Sequence, residues 1–123
     1  MSTDIITVRL YDDDQPAGYR VLVDGLWPRG VAKDSLEHDE WDKDVAPSAD
    51  LRKRFHGDDL TFHNFSQAYR KELRESDAPG ALLDRFADSG ESLLVLLYGA
   101  KDREQNHALV LADVLTELQE DRS

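Results

Sequence analysis

The sequence contains no cysteine among its 123 residues. This absence excludes disulfide bonds, thiolate metal sites and cysteine nucleophiles. A long hydrophobic run is also missing, since LLVLLYGA at 93–100 falls far short of the roughly 20 apolar residues that cross a bilayer. The first residues, MSTDIITVRL, lack the basic segment and the apolar core of a secretory signal. We therefore expect a soluble cytoplasmic protein with no membrane partner.

Positive charge is scarce as well. Lys and Arg total 15 against 26 Asp and Glu, and the net charge at pH 7 is −11. Nucleic acids are bound through basic surfaces, so no nucleic-acid partner is expected. Asp outnumbers Glu and Arg outnumbers Lys. That bias fits a protein adapted to salt, whose carboxylates keep it hydrated, and it equally fits an ordinary acidic bacterial protein.

Histidine is sparse, and its spacing does not form a metal motif. His38, His56, His63 and His107 include no close i, i+4 pair with an acidic partner, which is the arrangement that zinc-binding helices use. Since thiolates are absent too, the sequence predicts neither a metal site nor a cofactor.

Hydrophobic periodicity predicts strands towards both ends of the chain. Residues 7–12 alternate and predict a first strand, and the apolar run YRVLVDG at 19–25 predicts a second. A weaker alternation over 39–45 predicts a short edge strand, and ESLLVLLYG at 91–99 gives the clearest strand of the sequence. The runs at 19–25 and 91–99 are continuously apolar, as in parallel strands that are buried on both faces.

Four helices are predicted between the third strand and the end of the chain. Ser48 is the predicted N-cap of the first, and Asp102 with Gln105 resembles a capping box for the last, over 102–118. The third is short, with its predicted cap at Asp77 and its end at Gly90. The second helix has an apolar face formed by Phe62, Phe65, Tyr69 and Leu73.

Strands at both ends with helices between them are typical of an α/β fold. We predict a single domain over 1–123. Its sheet is expected to be small and mostly parallel, and flanked by helices in a two-layer or a three-layer sandwich.

Two predicted strand ends carry unusual turns. DGLWPRG at 24–30 follows the second strand, and YGAKD at 98–102 joins the last strand to the last helix. Ligands of parallel sheets bind beyond the carboxyl ends of the strands, where the N-termini of helices favour anions. If the two strands are parallel neighbours, Arg29 and Lys101 meet over one crevice. The sequence therefore predicts a pocket for a small anionic ligand, such as a phosphate or a carboxylate.

Further side chains extend the predicted pocket. Trp27 or Tyr98 is placed to stack on a ring of the ligand, and Asp24 or His107 is placed to transfer a proton. Asn106 precedes His107 in the first turn of the last helix. This set predicts a site that binds an anionic group and a ring of the ligand, and that places a titratable side chain next to them.

Arg52 and His56 lie four residues apart on one face of the first helix, so they either contribute to the pocket or form a surface pair. The other candidates have structural alternatives as well. These alternatives are an ion pair for Arg29, solvation for Lys101, capping of a turn for Asp24, orientation of the turn for His107, and packing in the core for Trp27 and Trp41. If Asp102 caps the last helix, its carboxylate occupies the amides that an anion needs, and the pocket would take a neutral or cationic ligand.

Several segments together resemble the domain of unknown function 488 family, in its YeaO-like branch. They are DGLWPRGVAKDSL, EWDKDVAPSADLRKRFHGD, the F-x-x-x-Y pattern of Phe65 and Tyr69, and LLYGAKDREQNHALVLADVL, within a similarity that runs from about Tyr19 to Leu118. The resemblance implies a small α/β fold and a bacterial or archaeal cytoplasmic protein. Other branches carry cysteines near the last strand and helix, in a pattern like C-x-E followed by C-H-R. Only His107 of the second triplet is present here, so thiol chemistry does not carry over.

Three functions stay open at this stage. The chain is either a small enzyme acting on a phosphorylated or nucleotide-like ligand, a non-catalytic ligand-binding or regulatory module, or a protein-interaction domain anchored by the Trp27 loop. An enzyme requires polar groups that converge in a closed pocket, and a binding module requires the pocket alone. An interaction domain would expose Trp27 on a flat surface.

Overall fold

The computed structural model describes residues 4–57 and 59–122 of the chain. These residues form a sheet of four parallel strands in the order β1-β4-β2-β3. The strands are β1 (Asp4–Arg9), β2 (Tyr19–Leu22), β3 (Glu40–Trp41) and β4 (Leu93–Tyr98). The helices are α1 (Ala49–His56), α2 (Phe62–Arg74), α3 (Ala78–Ser89) and α4 (His107–Arg122). The predicted α/β fold with a small parallel sheet is confirmed.

Strand β4 lies in the middle of the sheet, between β1 and β2. Leu96 of β4 faces Thr7 on one side and Val21 on the other. Strands β2 and β4 are therefore parallel neighbours, which agrees with burial of both faces of their apolar runs. Because they run in the same direction, the turns that follow them emerge at the same edge of the sheet.

All four helices pack on one face of the sheet. Their buried side chains, which include Leu51 of α1, Tyr69 of α2 and Leu111 of α4, form one core cluster with Val21 and Leu96 of the strands. Among the described residues, no helix is long and apolar enough to cross a membrane.

The opposite face of the sheet has no helix over it in the described part of the chain. The irregular segment 26–38 covers it, and its side chains Trp27, Val31 and Leu36 pack in a second cluster with Leu97 of β4. Of the two predicted arrangements, the chain adopts the two-layer one, and side chains of a loop close the second face.

A buried arginine fixes the segments on either side of that loop. Arg20 is only 8% exposed, and its guanidinium donates to the carbonyl oxygens of Glu37 and Pro16, each at 2.7 Å, and to Oε1 of Gln15 at 2.6 Å. The backbone amide of Arg20 donates to Oδ2 of Asp39 at 2.7 Å. These hydrogen bonds replace the water that a buried cation loses.

The edge strand β3 is much shorter than the strand predicted over 39–45. The carboxylate of Asp42 accepts a hydrogen bond of 3.1 Å from the amide of Asp44, and a 3-10 turn follows over Lys43–Val45. This local capping ends the strand after two residues. The first strand, predicted over 7–12, lies three residues earlier as β1.

The last helix begins later than predicted. The capping-box prediction at Asp102 placed its start at 102, but α4 begins at His107, because Asn106 is the side chain that caps it. At the other helix ends, Ser48 caps α1 as predicted. Asp77 makes no side-chain capping bond, and the hydroxyl of Ser76 accepts from the first amide of α3 instead. Gly90 ends α3 as predicted, with a φ of 79°.

A polar network ties α3 to the edge of the sheet. Arg85 donates to Oε1 of Glu40 at 2.9 Å and to Oδ2 of Asp42 at 2.8 Å, and the hydroxyl of Tyr19 donates to Glu40. Burial and the hydrogen bond to Glu40 raise the pKa of Tyr19 to about 12. Burial also raises the pKa of Asp42, although Arg85 opposes that shift. Charged side chains thus hold the short strand β3 in place, in addition to its backbone pairing with β2.

Candidate functional site

A cavity of about 640 Å³ opens at the carboxyl edge of the sheet. Its walls come from the turns after β2 and β4, the residues that lead into α4, and the side chains of α1 and α2. This position is the usual one for ligands of parallel α/β sheets, and the volume is in the range of small-molecule pockets. The cavity therefore lies where the two unusual turns predict a site.

The carboxylate of Asp24 bridges the two turns. Its Oδ2 accepts a hydrogen bond of 2.9 Å from the amide of Gly99, and the carbonyl oxygen of Asp24 accepts one of 2.6 Å from Nε1 of Trp41. A Cβ atom on Gly99 would lie 3.0 Å from that Oδ2, which is closer than ordinary packing allows. The absence of a side chain at Gly99 thus lets the carboxylate approach the backbone of the neighbouring turn.

The imidazole of His107 faces Asp24 from the first residue of α4. Its Nε2 lies 3.0 Å from Oδ1 of Asp24 and 3.2 Å from the carbonyl oxygen of Val23. The hydrogen bond is directed to the carbonyl, whereas the contact with Oδ1 is close but poorly aligned. Oδ1 is buried, and among the described residues it has no well-directed hydrogen bond. We assign the proton to Nε2, because both of its neighbours are acceptors.

The turn that leads into α4 satisfies its own backbone. The carboxylate of Asp102 accepts from the amides of Glu104 at 2.9 Å and Gln105 at 3.0 Å, and these two bonds lower its pKa. Asn106 is 2% exposed, donates to the carbonyl of Asp102 at 2.9 Å, and accepts from the amide of Leu109 at 3.1 Å. Asp102 and Asn106 therefore fix the position of His107.

Three cationic or titratable side chains, Arg52, His56 and Lys101, line the same cavity. Arg52 is partly buried, and its Nη1 would lie 2.9 Å from a Cβ atom on Gly25, so the absence of a side chain there gives the guanidinium its place. Among the described residues, the side chain of Arg52 forms no ion pair or hydrogen bond. By contrast, salt bridges with carboxylates hold Arg70, Arg74, Arg85, Arg103 and Arg122.

The rest of the lining is largely apolar. Phe55 of α1 stacks on the buried ring of Phe65 of α2, with 4.3 Å between the ring centroids. Leu26 and Pro47 complete this side, and Leu26 is 63% exposed. The cavity therefore offers a hydrocarbon surface next to its charged groups, as pockets for organic ligands do.

A comparison with known proteins identifies the family to which the chain belongs. The family described as the inactive DUF488-N3 subclade matches residues 4–123. The chain belongs to this family. The resemblance to the YeaO-like branch of the domain of unknown function 488 family is thereby confirmed.

Two relatives of this DUF488 chain illustrate the extent of the similarity. "Uncharacterized protein YeaO" of Escherichia coli (strain K12) is 49% identical over 112 residues, which are 89% of this chain and 95% of the relative. "Uncharacterized protein Rv3073c" of Mycobacterium tuberculosis (strain ATCC 25618 / H37Rv) is 37% identical over 114 residues, which are 92% and 94% of the two chains. No solved structure matches this chain.

The cavity brings six of the predicted site residues of this DUF488 chain together. They are Asp24, Arg52, His56, Lys101, Asn106 and His107. The sequence left open whether Arg52 and His56 of the first helix contribute to the pocket or form a surface pair. In the structure both line the cavity. The glycines at 25 and 99 and the rings of Phe55 and Phe65 were not predicted to take part. A glycine in the turn that follows a buried strand was the available signal for the first two.

Three predicted residues lie outside the cavity wall. Trp27 packs against Trp41 with 5.3 Å between ring centroids, and its Nε1 donates to the carbonyl of Val31 at 2.7 Å. Tyr98 is 3% exposed, within the core of the helical face. Arg29 is exposed and does not line the cavity that Lys101 lines. For Trp27 and Arg29 the cause is the segment 26–38, which leaves the sheet edge and turns under the opposite face. Tyr98 is outside because its side chain is buried in the core.

The metal-ligating side chains of residues 4–57 and 59–122 do not gather into a cluster of three or more. Nowhere in these ranges do three His, Asp or Glu side chains converge in a way that would hold an ion. Asp24 and His107 form a pair without a third such group.

Proposed function

We propose that this chain binds a small anionic ligand in the cavity at the sheet edge, and that it does so without catalysing a reaction. The observation that carries the proposal is Arg52. This guanidinium is partly buried in the cavity wall and has no carboxylate partner among the described residues, although acids outnumber bases by 26 to 15 in the chain.

The electrostatics of the chain support an anion as the missing partner. Five other arginines form salt bridges with carboxylates. The buried guanidinium of Arg20 is satisfied instead by carbonyl and amide oxygens. The guanidinium of Arg52 has neither kind of partner among the described residues. A phosphate or carboxylate of a ligand would supply the missing charge, and the planar fork of arginine suits either group. Lys101 adds positive charge along the same wall. A neutral ligand would leave Arg52 without a counter-charge.

Two observations support binding without catalysis. The family is described as an inactive subclade. The chain also has no cysteine, and the turn after β4 reads Gly99, Ala100, Lys101, so that no thiol nucleophile is present at this edge. A pocket with a fixed cation and an apolar wall is sufficient for recognition.

A second candidate, a small enzyme, is favoured by the pair formed by Asp24 and His107. Their 3.0 Å contact brings together the two groups of the acid–base pairs of hydrolases, while the hydrogen bond of His107 is directed to the carbonyl of Val23. In such an enzyme His107 would take a proton from water that attacks the bound anion. Release of inorganic phosphate from phenyl phosphate by wild-type protein, lost in His107→Gln, would favour this candidate.

Calorimetric titration with phenyl phosphate at low ionic strength tests the first proposal. The matched variants are Arg52→Met, which removes the charge at the cavity and keeps most of the carbon stem, and Arg54→Met, which removes an exposed charge from the same helix. We expect Arg52→Met to weaken binding by at least about tenfold, the effect of losing a charge-assisted hydrogen bond, and Arg54→Met to change it less than about twofold. Equal losses in both variants, or no binding by the wild type, would contradict the proposal.

A further inference from the structure

Two apolar side chains of the cavity wall lie close to Arg52. Phe55 follows Arg52 by three residues in α1, so the two side chains project from the same face of the helix. Leu26 follows Gly25, the residue against which the guanidinium rests, and lines the same cavity. A group that binds to Arg52 is therefore flanked by hydrocarbon from α1 and from the turn after β2.

This hydrocarbon surface is held in place, but the fold does not cover it. The ring of Phe55 stacks on Phe65 with 4.3 Å between the ring centroids, and it remains partly exposed. Leu26 is 63% exposed, and the only other large hydrophobic side chain that the described residues expose to a similar extent is Tyr11. Covering such a surface stabilises a complex in proportion to the apolar area that leaves water. An apolar group of a ligand would therefore bind favourably beside Arg52.

The polar side of the cavity offers few free partners to a ligand with many hydroxyl groups. Among the described residues, the amide nitrogen and oxygen of Asn106 are both hydrogen-bonded within the protein. Oδ2 of Asp24 accepts from the amide of Gly99, and Nε2 of His107 is bonded to the carbonyl of Val23. Hydroxyl groups that lose water in this cavity would not regain all of their hydrogen bonds, which weakens binding.

We propose, as an extension that rests on the proposed function, that the ligand is an anion attached directly to an apolar body, such as an alkyl or aryl phosphate or carboxylate, and not a sugar phosphate. Arg52 binds the anionic group, and Phe55 and Leu26 cover the carbon atoms next to it. An inorganic ion would fill only a small part of the cavity of about 640 Å³. The hydroxyl groups of a sugar would lie against the hydrocarbon. The apolar wall thus determines the class of organic ligand.

Three probes test this selection by calorimetric titration of the full chain at low ionic strength. They are cyclohexyl phosphate, inorganic phosphate, and glucose 1-phosphate, whose ring is similar in size but carries hydroxyl groups. We expect cyclohexyl phosphate to bind as one molecule per chain and at least about tenfold more tightly than either of the other probes. This comparison uses the wild-type protein and does not depend on the folding of any variant.

Leu26→Asn identifies the apolar wall as the cause of the preference. The position is exposed, so a polar side chain of similar size should leave the melting temperature nearly unchanged. We expect the preference for cyclohexyl phosphate over glucose 1-phosphate to fall at least about threefold, because the cyclohexyl ester binds more weakly. Leu26→Met restores a hydrocarbon side chain of similar volume and should return the preference to within about twofold of the wild type.

The outcomes separate the two proposals. Binding that depends on Arg52 but does not favour cyclohexyl phosphate, or a preference that is unchanged in Leu26→Asn, overturns the apolar ligand and leaves anion binding intact. Failure of every probe to bind the wild type, or affinities that Arg52→Met leaves unchanged, overturns anion binding itself, and the apolar anion with it.

Discussion

The amide of Gly99 donates a 2.9 Å hydrogen bond to the carboxylate of Asp24, and this bond joins turns that lie 75 residues apart in the chain. It connects the end of the strand at the centre of the sheet with the end of its neighbour. The same carboxylate faces His107 at the start of the last helix. One acidic side chain therefore couples three elements at the candidate site.

Substitution of Gly99 by alanine should destabilise the protein. The new Cβ would lie 3.0 Å from Oδ2 of Asp24 and 3.6 Å from Cδ2 of Leu10, so the turn or the carboxylate must move, at a cost of about 1–3 kcal/mol. Gly80→Ala is the matched control, because its Cβ would also meet an atom at 3.0 Å, the exposed end of Arg122. Urea denaturation should show Gly80→Ala to be neutral or slightly stabilising, since alanine is favoured in a helix. Equal losses in the two variants would contradict this account.

Alanine at position 25 should affect the ligand site more than the fold. Its Cβ would lie 2.9 Å from Nη1 of Arg52, the end of a flexible side chain, and the φ of Gly25 is not in the left-handed region. The free energy of unfolding should change by less than about 1 kcal/mol, because the guanidinium can swing away. Phenyl phosphate should bind several-fold more weakly for the same reason. An unchanged affinity would mean that the position of Arg52 does not matter for binding.

The polar network at Tyr19 predicts a loss of stability in alkali. Folding raises the pKa of this phenol to about 12, so the folded state disfavours its ionised form. Its contribution to stability is complete below pH 10 and is lost as the pH rises through about 12, a loss of about 1 kcal/mol once solvent screening is allowed for. Urea titrations at several pH values should show a shallower decline in Tyr19→Phe. Tyr11→Phe, at a side chain that is 45% exposed, should keep the wild-type decline.

Salt should not lower the melting temperature of this protein. At a net charge of −11 the folded chain repels itself, and dissolved ions screen that repulsion. Thermal melts at pH 7 should therefore give a melting temperature in about 1 M potassium chloride that is at least as high as in dilute buffer. Near the isoelectric point of about 4.6 the same salt should have little effect, since little net charge is left to screen. A drop in melting temperature at pH 7 would argue against the electrostatic explanation.

The sequence predicts the sheet better than it predicts the ends of the elements. Leu94, Leu96 and their neighbours in β4 form a continuous apolar run because both faces of that strand are covered, and this pattern can be read without a structure. The start of α4 could not be read in the same way. Asp102 and Asn106 both have side chains that cap helices, and the choice of Asn106 depends on its burial against the rest of the fold.

The choice of cation in the cavity also depends on tertiary structure. Arg29 follows a strand end and Arg52 lies in a helix. The local sequence pattern therefore favours Arg29 as the residue that binds the anion. The docking of α1 on the sheet brings Arg52 to the edge, while the segment 26–38 carries Trp27 under the opposite face. Neither the docking of α1 nor the path of the segment 26–38 is marked by a local sequence pattern. The sequence could therefore predict a pocket at this edge but not which arginine lines it.

The segment 26–38, which covers the face of the sheet opposite the helices, can be followed by intrinsic tryptophan fluorescence. The chain contains two tryptophans, Trp27 and Trp41, and both pack on that face with their rings in contact. Indole fluorescence therefore follows the loop-covered side, whereas far-ultraviolet circular dichroism is dominated by the four helices on the other side. If the loop detaches before the helices melt, the two signals will change at different denaturant concentrations, and the two faces of the sheet can be followed independently without any added probe.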